Sequence, residues 1–261
     1  MIPPMTASHS LLLTTQIAYG PHPRQRIDVV APQDADGQPA LLLLPGGWWR
    51  NGRREDLRLL ALHLAECGIP AAALGLRQLG DEGVHDGRDL VTDLVAAARL
   101  AVEEASLLGA SARECRLAGT GAGAVLAVLG CRALAASAET PRVIGVVTCA
   151  LMERLAPWPG CPAVIADALR AFAGNAAADL DHGAIDPKSL PAHLLLHGDA
   201  DGEVPAAQAG AVQRRLLAVD CPAELALIAG AGHPLLADPA SAYGRNAVDR
   251  LRDWIRKQDQ A

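Results

Sequence analysis

From Ala40 onward the chain alternates short apolar runs with longer amphipathic ones, and this alternation limits the fold more than any other feature. The short runs are residues 40–44, 69–74, 115–118, 143–148, 193–197 and 224–229. Between and after them, residues 53–67, 88–108, 122–137, 206–219 and 240–257 read as helices. In 88–108, Leu90, Val91, Leu94, Val95 and Ala98 recur at helical spacing and share one face. The uniformly apolar Leu41-Leu42-Leu43-Leu44 suits a strand covered on both sides. Two more strands, 11–17 and 25–30, precede this region and join through Gly20-Pro21-His22-Pro23. Strand–helix alternation predicts an α/β fold: a mostly parallel, twisted sheet of about eight strands with helices on both faces.

A length of 261 residues leaves room for two domains. Single α/β domains of about 250 residues are nevertheless common. No internal repeat or low-complexity tract interrupts the pattern, so one domain over 1–261 is expected. The less regular stretch 150–191 holds the loop Trp158-Pro159-Gly160 and a short helix over 163–172. It is expected as a short cap insertion over the carboxyl ends of the strands, where open α/β sheets bind ligands.

Composition removes several classes of function. Hydrophobic residues make up 51 % of the chain, which argues against disorder. A formal charge of −6 argues against a general nucleic-acid binder. The apolar runs fall far short of the ~18 residues needed to span a bilayer, so no membrane partner is expected. Met1–Ser10 has no basic region, and Leu11-Leu12-Leu13 is too short for a signal peptide. Cys67, Cys115, Cys131, Cys149, Cys161 and Cys221 form no Cys-x-x-Cys pair. They are expected as small buried thiols in a reducing cytoplasm. Cys149, at the end of a strand, is kept as a candidate reactive thiol.

Four loops that follow predicted strands carry unusual residues. They are Pro45-Gly46-Gly47-Trp48-Trp49, Gly119-Thr120-Gly121-Ala122-Gly123, the stretch from His197-Gly198-Asp199-Ala200-Asp201 to Pro205, and Gly230-Ala231-Gly232-His233. In a parallel sheet all four lie at one edge and can meet in space. Trp48 and Trp49 are two of only seven aromatic residues. Pocket walls are enriched in aromatics, so Trp48, Trp49 and Trp158 are expected to line a substrate pocket. His193 and His197 do not read as a metal pair. Four residues of strand span about 13 Å, whereas ligands sit about 2 Å from an ion. No metal is expected.

In this order the loops resemble the α/β-hydrolase fold, and in particular its esterase and kynurenine-formamidase-like branch. That branch has His-Gly-Gly-x-Trp after its third strand and Gly-x-Ser-x-Gly at a nucleophile elbow. A His-Gly-x-x-Asp strand and a Gly-x-Gly-His loop follow. The segment from Tyr19-Gly20-Pro21 to Arg26-Ile27-Asp28-Val29 is also similar to the family's lead-in. The resemblance implies Asp201 as the acid and His233 as the base. It implies an oxyanion hole built on Gly46, Gly47 and Ala122. It implies no cofactor, and a small ester-, amide- or acyl-like ligand as partner.

Two positions depart from the family pattern. The nucleophile position holds Gly121, and the first histidine of the oxyanion motif is Pro45. Glycine relieves an elbow strain of ~1–3 kcal/mol, so the elbow is expected to form without its nucleophile. Losing the nucleophile of such a unit costs ~10⁶ in turnover. Thr120 and Cys149 are the nearby substitutes, but Thr120 precedes the apex and should point away. The leading expectation is a non-catalytic or strongly impaired serine-hydrolase relative that binds an acyl- or ester-like ligand. Three alternatives stay open. His233, oriented by Asp201, could act as a general base on water or on a substrate C–H or O–H, in hydrolase, lyase or isomerase chemistry. Gly121 could replace a serine by design in an active esterase. Gly119-x-Gly121-x-x-Ala124 also matches a dinucleotide fingerprint, although the expected acid at the end of the next strand is missing.

Overall fold

A computed structural model describes residues 10–137, 141–184, 190–233 and 235–260. The leader reading of residues 1–9 and part of the expected insertion, residues 185–189, lie outside the described residues.

Eight strands are described: β1 (Leu11–Ala18), β2 (Arg26–Pro32), β3 (Ala40–Leu44), β4 (Ala71–Leu74), β5 (Glu114–Thr120), β6 (Arg142–Cys149), β7 (His193–Gly198) and β8 (Ala223–Ile228). They form one sheet in the order β1-β2-β4-β3-β5-β6-β7-β8. β2 runs antiparallel to both β1 and β4. From β4 to β8 every pairing is parallel. The helices are α1 (Arg58–Glu66), α2 (Gly87–Leu107), α3 (Ala122–Ala136), α4 (Ala163–Ala173), α5 (Ala177–Leu180), α6 (Ala207–Leu217) and α7 (Ala242–Asp259). This is the mostly parallel α/β sheet that the alternation predicts. Among the described residues, no helix is long and apolar enough to cross a membrane.

Period-two packing explains the four consecutive leucines of β3, Leu41 to Leu44. Leu42 and Leu44 face the core formed with α2, α3 and α4. Leu41 and Leu43 face the opposite core, formed with α1 and α7. All four are at most 1 % exposed. Each contributes about 1.5–3 kcal/mol of burial free energy.

Local chemistry shifts some boundaries. The run 69–74 starts its strand only at Ala71. Pro70 has no N–H to give the ladder, although its carbonyl accepts the Leu41 N–H at 2.8 Å. The helix expected over 53–67 opens as a tight 3-10 turn, Arg54–Leu57, before α1. There Arg54 and Arg58 both turn onto the buried Asp28, at 3.2 and 2.7 Å. The lead-in segment is tied down in the same way. Tyr19 donates its hydroxyl to the Gly75 carbonyl at 2.6 Å. Gln25 donates to the buried Asp93 at 2.9 Å, and Arg77 grips the same carboxylate at 2.7 Å. All six cysteines are free. Cys67 and Cys161 are only half-buried, whereas Cys115, Cys131 and Cys149, on β5, α3 and β6, and Cys221, in the α6–β8 connection, are buried.

Leu42→Ala should lower unfolding stability by about 2–5 kcal/mol in urea denaturation. Leu59→Ala, on the outer face of α1 at 66 % exposure, should stay within about 0.5 kcal/mol of the parent.

Candidate active site

β5 ends at Thr120 and α3 begins at Ala122, so the turn between them rests on Gly121 alone. Its backbone has φ +53° and ψ −117°, a conformation that strains any residue with a side chain. The Gly121 N–H donates to the Cys149 carbonyl at 2.8 Å, which ties the apex to the end of β6. The glycines on either side are needed for space. A Cβ at residue 119 would strike the Gly123 carbonyl, and one at residue 123 would strike the Leu44 and Pro45 carbonyls. A Cβ at Gly121 would instead project toward His233, 3.0 Å from its Nε2. Ala122 opens α3, so its N–H is among the helix's unpaired N-terminal donors.

His233 is held from its other side. Its Nδ1 lies 2.9 Å from Asp201 Oδ2, and the Asp201 side chain is 0 % exposed. Asp201 Oδ1 accepts the N–H groups of Glu203 and Val204 at 2.8 and 2.9 Å. A second histidine, His197, is fully buried and also faces Asp201 Oδ2, at 3.2 Å. The same His197 Nε2 lies 2.9 Å from the Val204 carbonyl. Two oxygen acceptors around one ring nitrogen mean that this nitrogen carries the proton. Asp199, the other aspartate of the loop, accepts the Gly230 N–H at 2.6 Å. It staples the loop of Asp201 to the loop of His233.

The electrostatics follow from these contacts. Burial alone would raise the Asp201 pKa. Hydrogen bonds from His197, His233 and the Val204 N–H outweigh it and hold the carboxyl well below its usual range. Burial alone would lower His233. The hydrogen bond and charge of Asp201, followed by the charge of Glu203, reverse this and raise it above the ordinary histidine value.

The turn after β3 supplies the wall beside His233. Gly46 lies against the elbow, where an added Cβ would be 3.0 Å from the Thr120 carbonyl. Gly47 accepts the N–H groups of Arg50 and Asn51, each at 3.0 Å, which curls the turn tightly. Trp48 and Trp49 both sit in the left-handed region, at φ +51° and +60°. This is costly for bulky residues. Leu79 and Gln78 hold them there by bonding the carbonyls of Trp49 and Gly52. Trp48 lies parallel to the His233 ring within 8°, with 6.1 Å between centroids. Its Nε1 donates to Glu203 Oε2 at 3.2 Å.

The remaining expected residues lie as follows. Trp49, expected as pocket lining, is 3 % exposed. It stacks on Phe172 of α4 at 3.9 Å. The alternation of direction along the turn sends one indole to the site and its neighbour to the core. Trp158 is half-buried against the core on the α2 and α3 side. Cys149 is fully buried, and burial pushes its thiol up to about 12. It therefore stays protonated at neutral pH, which removes the basis for a reactive thiol. Two residues at the site carried no sequence signal of a role. His197 enters the sequence reading as the start of the His-Gly-x-x-Asp stretch and as half of a rejected metal pair. Glu203 stands in the same loop as Asp201, and its Oε2 lies 3.8 Å from His233 Nε2.

The His233 imidazole should titrate above about 6.5, the ordinary value, when followed by NMR. In Asp201→Asn its midpoint should fall, because burial remains and the stronger of its two carboxylate partners is neutral, leaving only Glu203. The sign of the linkage follows. The raised His233 contributes stability that is full below about pH 6.5 and is lost as pH rises through its folded pKa. The depressed Asp201 contributes stability present above about pH 3.9 and lost as pH falls toward its folded pKa.

No protein-family model matches the chain. A probable isoprenylcysteine alpha-carbonyl methylesterase of Arabidopsis thaliana, ICMEL2, is 33 % identical over 109 residues, which is 41 % of this chain and 25 % of that protein. The isoprenylcysteine alpha-carbonyl methylesterase ICME of the same plant is 32 % identical over 112 residues, covering 42 % and 26 %. The match thus spans about a quarter of the length of these curated relatives. Among solved structures, a hyperthermophilic esterase from the archaeon Pyrobaculum calidifontis superposes with a TM-score of 0.80 at 20 % identity, covering 98 % of this chain and 88 % of that one. Esterase B from Lactobacillus rhamnosis gives 0.79 at 19 % identity, covering 98 % and 89 %. A truncated carbohydrate esterase from gut microbiota gives 0.75 at 16 %, covering 97 % and 98 %. The chain has the α/β-hydrolase fold, and esterases are among its structural neighbours.

Proposed function

We propose that this chain is a serine-hydrolase relative that binds a small acyl- or ester-type ligand at the elbow without forming an acyl-enzyme. One observation carries this reading: Gly121 holds the elbow conformation and faces His233 Nε2, yet it offers no nucleophile. A base and its orienting carboxylate are in contact, at 2.9 Å. The Gly46–Gly47 turn and the start of α3 lie beside them, and their N–H groups are suited to an acyl oxygen. Neither nearby substitute supports acyl transfer. The Cys149 thiol is buried and stays protonated. Thr120 precedes the apex on the strand. Missing its nucleophile, such a unit loses ~10⁶ in turnover.

A second reading is favoured by the Asp201–His233 contact itself. Bonding through Nδ1 leaves Nε2 directed outward, as a general base acting on water requires.

Hydrolysis of a short-chain p-nitrophenyl ester and an aryl formamide, by the parent and by Gly121→Ser, separates the two. The parent should stay at background and the serine variant should gain turnover. That gain will be limited by a backbone strain of ~1–3 kcal/mol. It will also be limited by the few tenths of an ångström that His233 must yield to a Cβ only 3.0 Å away. Turnover by the parent that disappears in His233→Ala would overturn the binding reading in favour of water activation. If neither protein turns over and neither binds acyl compounds, both readings fail.

A further inference from the structure

A carboxylate already occupies the open side of His233, and it belongs to the protein. Glu203 Oε2 lies 3.8 Å from His233 Nε2 and accepts the Trp48 Nε1–H at 3.2 Å. Two parallel rings therefore direct a nitrogen each toward one carboxylate oxygen. The backbone of Glu203 is fixed, because its N–H donates to Asp201 Oδ1 at 2.8 Å. Its side chain is 47 % exposed, so little holds it in place. The arrangement is that of a bound acid whose place is kept by a displaceable internal group.

We propose that the site takes a small carboxylate, the acid rather than the ester form of an acyl compound, which displaces the Glu203 carboxylate from Trp48 Nε1 and His233 Nε2. This rests on the reading of the elbow as a ligand site and names the ligand's charged group. The protonation chemistry supports it. Neutral His233, with its Nδ1–H on Asp201, presents a lone pair at Nε2 and repels an acyl oxygen. Charged His233 presents an N–H there. Asp201 on one side and Glu203 on the other both favour the charged form. At Gly121 no side chain stands between the apex and His233 Nε2, a gap of 3.0 Å from the Cβ position that a hydrogen-bonding oxygen can occupy, and the N-terminus of the 15-residue α3 adds a favourable field for an anion.

The test is calorimetric titration at pH 6 of the parent, Glu203→Gln, Glu203→Ala and His233→Ala with sodium butyrate and with methyl butyrate. Removing the internal competitor and its like charge, in Glu203→Ala, should tighten butyrate binding roughly tenfold, with a smaller gain in Glu203→Gln. Methyl butyrate affinity should change less than about twofold, because a neutral ester does not compete for the charged donor. His233→Ala should abolish butyrate binding. Far-UV circular dichroism should match the parent in both Glu203 variants, since that side chain is half exposed. Butyrate binding that is unchanged or weaker in Glu203→Ala, or that survives in His233→Ala, overturns the inference. Methyl butyrate binding more tightly than butyrate overturns it too, while the elbow remains a ligand site. If no variant binds either compound, the ligand-site reading falls with it.

Discussion

α3 turns back on β5 so sharply, and enters so close to the end of β3, that residues 119 and 123 have no room for a Cβ. Most of what is distinctive about this protein follows from that approach. It places the first residues of a long helix against the Leu44 and Pro45 carbonyls. It confines the apex between them to a single residue with positive φ. It also presses the Gly46 turn against the end of β5, so that the loops after two neighbouring strands share one wall. Because Gly121 relaxes the apex, the elbow persists as a structural joint whether or not it carries chemistry.

A second constraint comes from one buried carboxylate. A fully buried Asp201 needs its charge compensated, and four donors surround it: two histidines and two backbone N–H groups. His197 has no access to solvent and meets the same Asp201 oxygen from within the core. His233 keeps one nitrogen on Asp201 and turns the other to the site. The ring then lies between two carboxylates of different kinds. Asp201 is enclosed and permanent, whereas Glu203 is half exposed and replaceable. The same imidazole would be a base with Glu203 removed and its proton lost, and an anion donor while it remains charged.

The Trp48-Trp49 turn shows how strain is kept at such a place. Two consecutive indoles with left-handed backbone cost of order 1–3 kcal/mol each. Packing offsets that cost on both sides. Trp49 stacks on Phe172, which links the turn to α4 of the insertion. Trp48 stacks beside His233 and bonds Glu203. The insertion thus reaches the site through the core, by supporting the turn from beneath.

The amino-acid sequence by itself determined the layers and the sheet, because burial on both faces requires uninterrupted apolar strands such as Leu41–Leu44, and helices must repeat at 3.6 residues. It also placed Gly121, Asp201 and His233 on loops at one sheet edge, since loops after parallel strands share that edge. Other features were decided only by the tertiary structure. Glu203 has no periodicity to betray it, and its place opposite His233 depends on a contact with Trp48 across 155 positions. Nothing in two adjacent tryptophans tells which turns inward; the left-handed backbone of the turn and the position of Phe172 decide that. His197 looks like any strand histidine until the buried Asp201 is found beside it. Periodic patterns are local and survive in one dimension, whereas pairings between loops arise only when the sheet brings their strands together.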